Sequence, residues 1–268
     1  MIFAGGQINC TSNIDQNILN IKELIDYGSS VKADLCVTPE YALTGFVDDI
    51  KDWNCPDKAI DELVAYASSK NVGLLLGTMY EADEPDKLFN QVRVYDKSGD
   101  LLKVANKLRV WGSLEVSNFT EEGISDNIVD MPNGDRIGIL ICNDMWGNGW
   151  EEGPNISRRM FNMGARINIH CTNAERGVEP WKDNILREYH NSWIRQSSIH
   201  TPTLSVDNAC MMDGTPYRGP TSSQSGVAIG GNWVVTALER GVDFFHFDIG
   251  RPYNMKKPWT MKNHQGDI

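Results

Sequence analysis

The feature that most constrains this chain is the run Ile137-Gly138-Ile139-Leu140-Ile141, apolar without a break and followed at once by the polar Cys142-Asn143-Asp144. Five residues are too few for a helix, and the run does not alternate apolar with polar, so it reads as a buried strand. Other short runs, Ile2 to Ile8, Leu35 to Thr38, Val72 to Leu76 and Ile167 to Ile169, have the same character. Helical stretches separate them. Ile14, Ile18, Ile21, Leu24 and Ile25 recur at helical spacing, with Ser12 and Asp15 as a capping box and Gly28 as the stop. Asp57 caps a second helix with an apolar face of Ile60, Leu63, Val64 and Ala67, and Trp181 to about Ser198 is a third. Asn90 to Tyr95 and Leu101 to Ala105 flank Asp96-Lys97-Ser98-Gly99-Asp100, a hairpin in which Gly99 takes a positive φ. Ser225 to Ile229 and Trp233 to Leu238 form a late strand pair around Gly230-Gly231-Asn232. From about Pro252 no periodicity is visible, as expected of a tail or a partner arm. With no repeat or linker, the 268 residues read as one α/β domain mixing βαβ units and hairpins.

Composition narrows the function classes. Apolar residues make up 41% of the chain, enough for a packed core. The net charge of −11 argues against nucleic acid as the main partner, because phosphate binding needs clustered Lys and Arg. The N-terminus has neither a basic start nor a long apolar run, so no membrane segment is expected and the expected location is the cytoplasm. The six cysteines, at 10, 36, 55, 142, 171 and 210, include no Cys-x-x-Cys pair. Free thiols are expected, most of them small buried hydrophobes, and no metal is implied.

Three ionisable or nucleophilic residues stand just past apolar strands, where α/β folds gather their sites: Glu40, Lys107 and Cys142. A carboxylate there can act as a general base, a cysteine as a nucleophile and a lysine as a fixed positive charge. Each also has a bland reading, as a solvated loop acid, a surface lysine with Lys103 as its rival, or a core cysteine. Five histidines occur, at 170, 190, 200, 246 and 264, and none carries the signal of a Cys/His protease, although His170 ends an expected strand.

The order carboxylate, lysine, cysteine resembles the nitrilase (carbon–nitrogen hydrolase) superfamily over roughly the first 230 residues. "PEYALTGF" (39–46) is similar to the family block around its base, and "LFNQVRVYDKSGDLLKVANKLRV" (88–110) to its asparagine, hairpin and lysine block. "RIGILICNDMW" (136–146) is similar to the nucleophile block, and "NMGARI" (162–167) to the Gly-Ala entry of the next strand. Arg195 and Ser225-Gly226 fit later family positions. Many amidases of the family carry a second glutamate after the lysine. Glu115, eight positions beyond Lys107, is favoured over Glu121 and Glu122.

The resemblance implies a single-domain αββα sandwich, no cofactor, and a homodimer or higher homo-oligomer. It implies hydrolysis of a small amide or N-carbamoyl compound by Glu40, Lys107, Cys142 and Glu115. Asn143, Trp146, Trp150, Asn173 and also Arg176 are candidates for lining the substrate pocket, with packing or the surface as the alternative for the last four. The sequence departs from the family around Asn106-Lys107-Leu108-Arg109, across a longer stretch from Met145 to about Pro154, and at Ile169-His170-Cys171-Thr172, which lacks the family proline. Met145 to about Pro154 is expected to form a loop that rims the site and sets substrate choice, the alternative being that Trp146 and Trp150 pack under the loop or into a subunit interface. Two alternatives stay open: a nitrilase acting on a C≡N bond, disfavoured by Cys142-Asn143-Asp144 in place of Cys-Trp-Glu, and a catalytically silent binding protein on the same fold.

Overall fold

A computed structural model of the chain describes residues 1–46, 55–82, 87–110, 127–146, 156–174, 180–211 and 214–250. Twelve strands and five helices lie within these segments. In chain order they are β1 (Ile2–Gln7), α1 (Ile14–Ser30), β2 (Leu35–Val37), α2 (Asp57–Ser69), β3 (Gly73–Glu81), β4 (Leu88–Tyr95), β5 (Leu101–Asn106), β6 (Ile128–Asp130), β7 (Arg136–Ile141), α3 (Asn143–Trp146), α4 (Ile156–Asn162), β8 (Ile167–Thr172), α5 (Pro180–Ser197), β9 (Thr203–Asp207), β10 (Gly226–Ile229), β11 (Asn232–Thr236) and β12 (Asp243–Asp248).

The strands form two six-stranded sheets, ordered β12-β1-β2-β3-β4-β5 and β11-β10-β9-β8-β7-β6. In each, the central strands are parallel (β1-β2-β3 and β7-β8-β9) and the outer pairs antiparallel. Because side chains alternate across a strand, each sheet feeds two cores. Leu35, Val37, Leu75 and Val92 of the first sheet meet Ile137, Ile139, Ile141, Ile169 and Leu204 of the second in a cluster between the sheets. Ala4, Cys36, Leu74 and Leu76 face the other way, onto Ile21, Leu24 and Ile25 of α1 and Ile60 and Leu63 of α2. Behind the second sheet, Leu140 and Ala228 pack on Met145, Met160 and Ile194. Burying one such side chain fully stabilises by about 1.5–3 kcal/mol. The result is the expected αββα sandwich, with a pair of helices outside the first sheet and α3, α4 and α5 outside the second.

Local expectations fare unevenly. The hairpin of β4 and β5 forms with Gly99 at φ 90°. The first helix does not stop at Gly28 but runs on to Ser30. Gly28 is there for a different reason: a Cβ would collide with Cys36 Sγ, so its absence lets α1 lie against β2. The N-cap is Asn13, whose side chain accepts from Gln16 N at 3.0 Å, rather than Ser12. The expected tail from about 252 lies outside the described residues. No described helix is long and apolar enough to cross a membrane.

Candidate active site

The carboxylate is placed by the chain leaving β2. Thr38 Oγ1 donates to Leu75 O at 3.1 Å and accepts from Gly77 N at 2.9 Å. Leu43 N donates to Gly77 O at 3.0 Å, and Thr44 Oγ1 accepts from Met79 N at 3.1 Å. Residues 38–44 are thereby stitched along β3. The approach is so close that a Cβ on Gly77 would run into Pro39 O. Glu40 hangs from this segment and is only 1% exposed. Its Oε1 accepts from Asn90 Nδ2 at 2.7 Å and from Lys107 Nζ at 3.0 Å, and its Oε2 accepts from the Asn173 backbone N–H at 2.8 Å. A buried carboxylate is tolerable only with such a set of donors.

Lys107 follows β5 directly. Its backbone N–H donates to Asn90 O at 2.8 Å, and its side chain is 2% exposed against Glu40. Lys103, the rival, sits within β5 opposite Val94 and is half-buried.

Cys142 ends β7 in a left-handed conformation, φ 43°, which a non-glycine residue adopts only when its surroundings hold it there. Its N–H donates to Cys171 O at 2.8 Å, and its C=O accepts from Met145 N at 3.0 Å and His170 Nε2 at 3.3 Å. Two elements join this turn to the charged pair. Asn173, just past β8, reaches Glu40 through its N–H. Asp144, two residues past Cys142, accepts from Leu108 N and Arg109 N at 3.0 Å each with Oδ1 and from Ile141 N at 3.0 Å with Oδ2. The positive charge of Lys107 acts on both Asp144 and His170. The strand ends of both sheets therefore meet at one corner, which brings a carboxylate and an ammonium from the first and the Cys142 turn from the second.

A carbon–nitrogen hydrolase family model matches residues 4–218. The chain belongs to the carbon–nitrogen hydrolase family. Solved structures of similar fold include two mutants of the amidase from Nesterenkonia sp. AN1. One is a cysteine-to-alanine mutant of this nitrilase-superfamily amidase: 17% identity, TM-score 0.71, covering 92% of this chain and 89% of that one. The other shows covalent addition of the acetamide moiety of fluoroacetamide at the active site cysteine: 17% identity, TM-score 0.72, covering 93% and 90%. A comparison with curated protein sequences finds no match.

Within this carbon–nitrogen hydrolase, several side chains matter that sequence reasoning did not single out. Asn90 carries its bond to Glu40 and a second from the same nitrogen to Tyr41 Oη at 2.7 Å. Its sequence signal was its place in the segment 88–110, which resembles the family's block of an asparagine, a hairpin and a lysine. Asp144 stood in the nucleophile block, but nothing in that block reveals that it clamps residues 108 and 109. Burial pushes its carboxyl up to about 7, against the opposing pull of its three backbone donors and Lys107. Asn143 turns its side chain to Val110 O at 3.3 Å. Asn173 Oδ1 accepts from Asn208 Nδ2 at 2.8 Å, and the buried Asn173 Nδ2 is a donor with no partner among the described residues. Glu115, Trp150, Arg176 and most of the Met145 to Pro154 stretch, together with the side chain of Trp146, lie outside the described residues.

Three of the thiols other than Cys142 are raised. Burial pushes Cys36 up to about 12 and raises Cys171 strongly, with the Glu40 charge adding to the latter. Cys55 is exposed, and its thiol is also raised.

Proposed function

We propose that this chain hydrolyses the C–N bond of a small linear amide or N-carbamoyl compound through a Cys142 thioester. The observation that carries the reading is the buried Glu40 carboxylate, bonded to Lys107 Nζ and to the Asn173 N–H, beside the strained turn of Cys142. Glu40 takes the thiol proton, and the Sγ attacks the carbonyl carbon to form a C–S bond. Lys107 and the Asn143 backbone N–H stabilise the oxyanion. Collapse breaks the C–N bond, and Glu40 returns its proton to the departing ammonia or amine. Water then attacks the thioester, giving one proton to Glu40. The C–S bond breaks, the acid leaves and the thiol is restored. Glu115 is proposed to help position Lys107 and the substrate.

Asn173 Nδ2 supports a substrate contact, since an unpartnered buried donor next to the base favours a ligand with an acceptor group. A homodimer is proposed as well, supported by Ile185 (63% exposed) and Tyr189 (36%) on the outer helix α5. Light scattering at micromolar concentration tests it, and a monomer would reject it. The activity is tested by ammonia release from a panel of small amides, N-carbamoyl amino acids and nitriles. Release from amides or carbamoyl compounds, lost in Cys142→Ala, supports the reading. Release from nitriles alone, or from nothing, rejects it.

A further inference from the structure

We infer that His170 is a positioning residue that orients the Cys142–Asn143 peptide, and with it the backbone N–H that meets the oxyanion; this rests on reading Cys142 as the nucleophile. The carbonyl of Cys142 and the N–H of Asn143 belong to one planar peptide unit, in which they point in opposite directions. Whatever fixes the carbonyl therefore aims the N–H. Two donors converge on that oxygen, the Met145 N–H at 3.0 Å and His170 Nε2 at 3.3 Å. The first belongs to the same turn and moves with it. The second comes from β8, in the rigid centre of the sheet.

The protonation of the ring follows from its partners. A carbonyl oxygen only accepts, so Nε2 must carry a proton. The ring is fully buried, and both His190 and the Lys107 ammonium disfavour a charge on it. Burial first, and then those two groups, push its pKa down to about 3, against the favourable bond to Cys142. The imidazole is therefore neutral and has one N–H. Nδ1 is then an acceptor, and the Ser205 hydroxyl, 2.9 Å away on β9, donates to it. Ser205, His170, the Cys142 carbonyl and the Asn143 N–H form a chain of aligned dipoles across β9, β8 and the end of β7. Each bond in such a chain polarises the next, which makes the terminal N–H a stronger donor. The same chain holds Cys142 at its positive φ. His170 takes no part as a base, since Nε2 already carries a proton and the lone pair of Nδ1 is engaged by the Ser205 hydroxyl.

The test separates two reactions of one sulfur. Alkylation by iodoacetamide needs the thiolate but forms no oxyanion. Acetylation by p-nitrophenyl acetate forms one. In His170→Leu, acetylation of Cys142, read as the nitrophenolate burst, should fall at least tenfold while alkylation changes less than twofold. His170→Gln, whose Nε2 reaches the place of the ring donor, should restore most of the acetylation. Equal losses in both reactions, no loss in either, or a Gln variant no better than Leu would overturn the inference. Wild-type protein gives a reading that does not depend on a variant folding. Long-range proton–nitrogen correlation spectra should show a single Nε2–H tautomer of His170, unchanged from pH 5 to 8. A ring protonated at Nδ1 would contradict the inference. If wild-type Cys142 neither alkylates nor acetylates in preference to the other thiols, the nucleophile reading falls and the inference with it. If it does both and His170→Leu behaves as wild type, the inference alone falls.

Discussion

The two sheets bring different things to the same corner. The first supplies charge, and holds it with side-chain bonds that reach across the molecule: Glu40 to Lys107, Glu40 to Asn90, and Thr38 and Thr44 to β3. The second supplies the proposed nucleophile, and holds it through backbone shape: the positive φ of Cys142, with its N–H on β8 and its carbonyl bonded by His170. A charge in a dry corner must be neutralised by a partner, whereas a strained turn must be trapped by its neighbours. The first side should therefore fail through unpaired charge and the second through relaxation. Asp144 is where the two meet, because it belongs to the nucleophile's turn and bonds the lysine's loop.

The largest expected effect is at the charged side. Glu40→Gln removes the proposed base and leaves Lys107 buried opposite a neutral amide. Turnover should fall by about 10²–10⁴-fold. Stability in urea should fall by about 3–5 kcal/mol, the cost of breaking a buried pair. A variant of unchanged stability would mean that Lys107 finds another counter-charge.

Next comes the junction. Asp144→Asn keeps one acceptor oxygen and turns an amide NH₂ toward a backbone N–H, so it should destabilise by about 1.5–3 kcal/mol per bond lost. Its pH dependence sharpens the comparison. With a folded pKa raised from 3.8 to about 7, the folded state holds a proton that the unfolded state has released between those values. Stability from this group is thus fully present near pH 4 and declines as pH rises through about 7. Urea midpoints of wild type and Asp144→Asn should therefore converge from pH 4 toward pH 8. A gap that widens with pH would show a depressed carboxyl instead.

A smaller effect is expected from Gly77→Ala. The added methyl must displace Pro39, at a cost of about 1–3 kcal/mol. Because Glu40 follows directly, turnover should drop while the rate of Cys142 alkylation stays unchanged. Loss of both would mean that the two sides are not mechanically separate.

What the sequence revealed depended on whether a signal was local. β7 was legible because its residues are apolar on both faces, and β4 and β5 because Gly99 marks their turn. β9, Thr203-Leu204-Ser205-Val206-Asp207, was not read as a strand. Its polar residues are fully buried, and their partners lie on other elements: His170 for Ser205, and Ser222 and Ser223 for Asp207. β12, Asp243-Phe244-Phe245-His246-Phe247-Asp248, went unread as well. It makes sense only as an edge paired with β1. Glu40, Lys107 and Cys142 could be nominated because each follows a strand and the family order links them. Asp144, Asn90 and His170 could not, since their importance lies in bonds made across the fold, for which a single sequence carries no mark.

The central claim is a covalent one, that the thiol of Cys142 and no other carries the acyl group. Rapid acid quenching during turnover of a small amide, followed by peptide mapping, tests it directly. The predicted result is an acyl mass on the Cys142 peptide in wild type, with neither the adduct nor ammonia release in Cys142→Ala. An adduct on Cys36, Cys171 or another cysteine, or ammonia release that survives Cys142→Ala, would contradict it.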